Sequence, residues 1–172
     1  MTTGGQMILI CYDGSDDAKA AIDEAGKLLG GQPATVLTVW QPFAELLAET
    51  PLGFGIAPGA LNIEEADNAS RAAAEHLAAE GAELARQAGF NAQPRESTRL
   101  QTTAHAILAE AEACGASAIV MGSRGLTGMK SLLLGSVSHA VLQHADRTVI
   151  VVPSPAVADA RRPRRAPSRG SR

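Results

Sequence analysis

Two short stretches of the chain carry residue types suited to holding an anion. Asp13-Gly14-Ser15 closes one apolar run, and Gly122-Ser123-Arg124-Gly125 closes another, with Gly135-Ser136 following later. Glycine lets a backbone approach a phosphate closely and accepts positive φ. Successive free amides make an anion-binding concavity, and a helix beginning near Ser136 adds its unpaired N–H groups. Ser123, Ser136 and Ser138 offer hydroxyl donors. Arg124 and Lys130 are cations within reach of a phosphate, although a solvent-facing role suits both slightly better. Asp13 has the wrong charge for a phosphate and suits ribose hydroxyls or, through water, a magnesium ion. A plain turn after a strand also explains Gly122 and Gly125. The serines and the nearby helix start weigh toward phosphate.

Other chemistries are poorly supported. No Gly-Lys-Ser/Thr of a Walker A loop occurs, and the loop after Met121 is Gly-x-x-Gly rather than the dinucleotide pattern Gly-x-Gly-x-x-Gly. Gly53-Phe54-Gly55 is a near miss in a Pro-rich stretch without a preceding strand. His76, His105, His139 and His144 fall on expected helices with no nucleophile at useful spacing, so each reads as a surface or capping residue. The two cysteines, Cys11 and Cys114, are too few for a zinc site or a disulfide framework and read as small core residues. No catalytic constellation is expected.

The elements that must position these residues follow from periodicity and punctuation. Met7–Asp13 reads as a buried strand. Ser15 caps a helix with Asp16 and Asp17 in its first turn, and Gly30-Gly31 ends it. Ala34–Trp40 is a second strand. Residues 41–61, with Pro42, Pro51 and Pro58, read as an irregular connection. Asn62 and Glu65 form a capping-box pattern opening a long helix to about Ala88. Asn91–Thr98 reads as an edge strand, Thr103–Cys114 as a helix, and Ser117–Met121 as another buried strand. A short helix from Ser136 to about His144 and a final strand, Thr148–Val152, complete the order. Alternating strands and helices predict an α/β fold, an open parallel sheet with helices on both faces. In such sheets ligands bind at the carboxyl ends of strands where the strand order reverses. The first and fourth strands must therefore be neighbours if the two stretches are to form one site.

The 172 residues fit one domain with a tail, and a hydrophobic fraction of 45% is enough for a sizeable core. Aromatics are only 3%, which argues against a protein that stacks bases on aromatic platforms. Six of the fifteen basic residues are arginines from Arg161 onward, leaving nine basic against eighteen acidic residues before them. The body is acidic and residues 154–172 read as a disordered, Arg- and Pro-rich tail. Contact of the tail with nucleic acid is conceivable but not expected. No apolar stretch is long enough to span a bilayer, and no signal peptide is evident, so no membrane association and a cytoplasmic location are expected.

The run from Met121 through Gly135-Ser136-Val137-Ser138 resembles the nucleotide loop of the universal stress protein family. That loop has the pattern Gly, two residues, Gly, nine residues, Gly and then Ser or Thr, met here by Gly122, Gly125, Gly135 and Ser136. Ile8–Ser15 is similar to the family's opening strand and Asp-Gly-Ser turn, and Val149–Pro153 to its closing strand. The resemblance covers residues 6–153. It implies a five-stranded sheet in order 3-2-1-4-5, an adenine nucleotide alpha hydrolase-like fold, with ATP between the first and fourth strands. Carried over residue by residue, Asp13, in the turn Tyr12-Asp13-Gly14-Ser15, would meet ribose or magnesium, and the backbone near Val39 the adenine. Gly122, Gly125, Gly135 and Ser136 would hold the phosphates, with Ser123, Arg124 and Ser138 beside them, and Met121 and Val137 would line the pocket. The resemblance also implies a homodimer through Thr148–Val152. Leu100-Gln101-Thr102-Thr103 replaces the family's commoner Gly-containing turn, and the Arg-rich tail lies outside its pattern.

Two readings follow. One is an ATP-binding stress-response or signalling protein, a nucleotide-dependent homodimeric switch with at most slow hydrolysis or autophosphorylation. The other is a non-catalytic structural dimer whose pocket is vestigial or takes another ligand. A phosphotransfer enzyme with Asp13 as nucleophile ranks behind both, because Asp16 and Asp17 read as first-turn helix residues rather than as an activating carboxylate.

Overall fold

The computed structural model describes residues 6–49, 62–99, 101–126, 134–154 and 158–159. Five parallel strands form one sheet: β1 (Ile8–Cys11), β2 (Pro33–Trp40), β3 (Asn91–Thr98), β4 (Ala118–Gly122) and β5 (Thr148–Val152). Their spatial order is β3-β2-β1-β4-β5, as expected from the sequence. Ile8 of β1 stands in register with Ala34 on one side and Ala118 on the other. Chain order therefore reverses at β1 and β4, and the two loops of interest emerge next to each other.

Among the described residues five helices accompany the sheet: α1 (Asp16–Leu29), α2 (Phe43–Glu49), α3 (Ile63–Gln87), α4 (Thr103–Ala113) and α5 (Ser136–His144). Side-chain alternation along the strands divides the core into two layers. Ile8 and Ile10 pack with Ala21, Ile22 and Ala25 of α1 and Ala82 and Ala85 of α3. Leu9, Leu37 and Ile119 pack on the other side with Ala104 and Ile107 of α4 and Val141 of α5. Both faces of the inner strands are thus covered, which is why β1 and β4 read as unbroken apolar runs.

Local signals set the helix starts. Ser15 Oγ accepts from the Ala18 amide at 3.2 Å, and Asn62 Oδ1 accepts from the Glu65 amide at 3.2 Å. At α4, Thr102 Oγ1 accepts from the His105 amide at 3.1 Å, so the turn without glycine still ends in a capped helix. One expectation is corrected. The connection read as irregular contains α2, whose start is tied to α3 by the Phe43 amide donating to Asp67 Oδ1 at 2.6 Å. Arg99 pairs with Glu45 at 3.5 Å and with Glu49, bonding the helix to the end of β3. Residues 50–61 of that connection, Lys130 and the arginines from Arg161 lie outside the described residues.

The two sheet edges differ. β3 carries Gln93, Pro94, Arg95 and Glu96, and Glu96 Oε2 accepts from Trp40 Nε1 at 2.7 Å. β5 is Thr-Val-Ile-Val-Val, with Val149, Ile150 and Val151 only partly buried. Among the described residues, no helix is long and apolar enough to cross a membrane.

Candidate functional site

A cavity of about 470 Å³ opens at the carboxyl ends of β1 and β4. That size falls within the range of small-ligand pockets, roughly 300–1,000 Å³. Part of its lining is apolar: Leu37 and Val39 from β2, Ile107 from α4, Met121 from β4 and Val137 from α5. The rest is largely polar or glycine, with Asp13, Arg124, Gly125, Gly135, Ser136 and Ser138. An apolar slot beside a polar, amide-rich rim suits a flat ring joined to an anionic tail.

The turn after β1 is held locally. Gly14 takes φ +81°, a region open to glycine, and this turns the chain into α1. The Ser15 amide donates to Asp13 Oδ1 at 3.0 Å, which fixes the Asp13 carboxylate at the pocket rim. Its other oxygen lies against Gly125: a Cβ there would stand 2.6 Å from Asp13 Oδ2. The two strand ends therefore meet at a glycine, and any side chain there would have to move that carboxylate from its place.

The loop after β4 is held from a distance. Ser123 Oγ donates to Asp17 Oδ2 at 2.7 Å, and the Arg124 amide donates to the same oxygen at 3.1 Å. The Arg124 Nε lies 3.7 Å from it, so Arg124 is paired rather than simply solvent-facing. The Ser123 amide donates to Val152 O at 2.8 Å, and the Ser123 carbonyl accepts from the Gly135 amide at 2.7 Å and from Ser138 Oγ at 2.9 Å. Gly122 admits the first turn of α1, since a Cβ there would lie 2.7 Å from the Asp17 carbonyl carbon. Gly135 is the N-cap of α5 with no side-chain bond to its amides, and Ser136 beside it is exposed. The first residues of that helix, Ser136, Val137 and Ser138, border the cavity, and the first amides of a helix have no intrahelical partner.

Asp17 is the residue sequence reasoning undervalued. It is 6% exposed, whereas its neighbour Asp16 is exposed. Burial opposes its charge, but the Ser123 and Ser154 hydroxyls, the Arg124 guanidinium and the Ser154 amide outweigh it and hold the carboxyl below the usual aspartate range. Cys11 behaves oppositely: burial, with a contribution from Asp13, pushes its thiol up to about 12, so it is a neutral wall residue and not a nucleophile. Burial and a bond to Glu80 also raise the Tyr12 phenol. Its hydroxyl donates to Glu80 Oε1 at 2.6 Å, so it is engaged with α3 although Tyr12 borders the cavity.

Of the residues singled out in the sequence, Tyr12, Asp13, Val39, Met121, Gly122, Arg124, Gly125, Gly135, Ser136, Val137 and Ser138 border the cavity. Gly14, Ser15 and Ser123 stand behind it, shaping the turn, capping α1 and bonding to Asp17. Ser123 and Ser138 are 1% and 2% exposed, and both hydroxyls donate within the protein, which leaves Ser136 as the exposed hydroxyl of the three. Sequence reading missed Cys11, Ala18, Leu37, Thr103, Ile107 and Leu126 on the wall. Leu37 had a signal, since it shares a face of β2 with Val39. Ile107 and Thr103 had none. Among the described residues no group of three or more His, Cys, Asp or Glu side chains could hold a metal ion by itself.

Residues 6–153 match the family model described as the universal stress protein family. The chain is 33% identical over 146 residues to universal stress protein YxiE of Bacillus subtilis, covering 84% of this chain and 97% of that one. It is 36% identical over 149 residues to a universal stress protein of Thermus aquaticus, covering 84% and 96%. Its fold matches that of UspA from Lactobacillus plantarum at a TM-score of 0.65 and 23% identity, over 88% of this chain and 99% of that one. A universal stress protein in complex with cAMP matches at 0.58 and 21% identity, over 88% and 99%. One from Archaeoglobus fulgidus in complex with dAMP matches at 0.54 and 18%, over 86% and 97%.

Proposed function

This chain belongs to the universal stress protein family, and from that premise we propose that it binds ATP in the cavity between β1 and β4 and acts as a nucleotide-dependent homodimeric switch in stress response. The observation that carries the reading is the meeting of Asp13 with Gly125 at the rim of a cavity whose lining joins apolar side chains to glycines, serines and Arg124. Structural relatives solved with cAMP and dAMP support an adenine nucleotide as the ligand class.

In this reading adenine enters the apolar slot of Leu37, Val39 and Ile107. Asp13, held by the Ser15 amide, accepts from ribose hydroxyls. The phosphates lie against the loop from Gly122 to Gly125 and the start of α5, where free amides and the helix dipole favour negative charge. Arg124 adds a guanidinium at the rim. Magnesium fits only as a partner of the phosphates, with Asp13 the one carboxylate bordering the cavity to meet it through water. Bound there, the ion would neutralise phosphate charge. Among the described residues at the site, Cys11 stays protonated, Asp17 is engaged with the loop, and Asp13 is taken up by ribose or metal in this reading, so hydrolysis is expected to be at most slow.

Dimerisation is proposed through β5, an apolar, partly buried strand whose outer edge is unpaired among the described residues, in contrast to the charged and proline-bearing β3. Light scattering reading a monomer at micromolar concentration would count against it.

The deciding experiment is calorimetric titration of ATP with magnesium into the nucleotide-free protein, beside Gly125→Glu. Glutamate there displaces Asp13 and sets a negative charge against the phosphates, so a correctly folded variant should lose most of its affinity. Absence of binding by the parent would refute the reading and favour a structural dimer with an unused pocket.

A further inference from the structure

Asp17 does not border the cavity, yet it holds the two residues that begin the loop bordering it. Its carboxylate accepts the Ser123 hydroxyl and the Arg124 amide and lies within ion-pair distance of the Arg124 guanidinium. Ser123 in turn bonds to the end of β5 and to the start of α5, so one carboxylate anchors the root of the loop at the point where three elements join. Gly122 lacks the Cβ that would collide with Asp17, 2.8 Å from its Cβ, and so permits this approach.

We propose that Asp17 is the positioning residue at the root of the anion-binding loop: it presets Ser123 and Arg124 so that these residues meet phosphate already in place. The inference rests on the nucleotide reading above and assigns that reading a residue outside the pocket. Residues placed before binding spare the ligand the cost of ordering them, and their misplacement weakens the contacts they make. The position of Asp17 behind the loop matters for sign as well. A free carboxylate beside phosphate would repel it, whereas one neutralised by Arg124 and hydroxyl donors acts on the loop and not on the ligand.

The effect should therefore fall on phosphates and not on adenosine, which does not reach the loop. Asp17→Asn keeps the side-chain shape but loses the charge. Ser123→Ala keeps Asp17 but removes the hydroxyl donor, and it serves if Asp17→Asn does not fold. Calorimetry with ATP and, separately, adenosine should show at least a tenfold loss of ATP affinity in either variant, with adenosine affinity within twofold of the parent. The double variant should lose little more than one single variant, because both break the same contact. Unchanged ATP affinity in the folded variants would overturn the proposal. Equal losses for ATP and adenosine would also overturn it, by showing a general structural effect. A parent that binds no ATP would instead sink the nucleotide reading, and this inference with it.

Discussion

The turn after β1 and the loop after β4 lie side by side, but they are held in opposite ways. The bonds of Asp13-Gly14-Ser15 reach two to four residues along the chain, from the Ser15 amide to Asp13, from the Ala18 amide to Ser15 Oγ and from the Lys19 amide to the Ser15 carbonyl. The bonds of Ser123 reach Asp17 on α1, Val152 on β5 and Gly135 before α5. A short turn closes at little entropic cost, so its geometry can form early and alone. The β4 loop has its shape only after helices and edge strand have assembled. One lip of the pocket is therefore a local structure, and the other is a product of the whole domain.

That contrast can be broken most severely at Gly122. Gly122→Val places side-chain carbons against the backbone of Asp17 and Ala18, whose nearest atoms lie 2.7–2.9 Å from an added Cβ. Backbone cannot yield there, and a loss of about 3 kcal/mol is expected from such overpacking. Urea denaturation measures it; an unchanged midpoint would mean that α1 does not press on β4 as described.

A smaller effect comes from acid. The folded-state value of Asp17 lies below its unfolded value, so the stability it supplies is complete above the ordinary aspartate range, about 3.9, and is lost as pH falls through the lower folded value. Melting temperatures of the parent should drop more steeply across that window than those of Asp17→Asn. Parallel curves would remove Asp17 from the account. Exposed carboxylates such as Glu83 contribute equally to both proteins and cancel in the difference.

The smallest effect is expected at the local lip. Ser15→Ala removes one helix cap and should cost about 1 kcal/mol, leaving the denaturant slope unchanged. A loss several times larger would show that the turn, too, depends on distant partners.

The same division explains what could be read from the chain. Ser15, Asn62 and Gly30 announce helix ends through contacts with near neighbours, and the apolar runs of β1 and β4 announce burial on both faces. These signals predict an open parallel sheet, and the resemblance of the loop pattern to the family implies its strand order. α2 was not legible, because Pro42 and the glycines of that stretch mark irregular chain while its stabilising partners, Asp67 and Arg99, lie far along the sequence. Nor could the directions of the Ser123 and Ser138 hydroxyls be read, or the difference between Asp16 and Asp17. Adjacent aspartates in a first helical turn look equivalent until β4 is packed against one of them.

The hydrogen bond between Trp40 and Glu96 has a practical consequence. Trp40 is the only tryptophan of the chain and Tyr12 its only tyrosine. One ends β2 a single residue beyond Val39 of the pocket wall, and the other follows β1 at the pocket border. Light absorbed at the red edge of the near-ultraviolet is emitted from one indole at one known place, the junction of β2 with the edge strand β3. The emission spectrum of the unlabelled protein therefore reports on whether that edge stays paired, with no second indole to blur it.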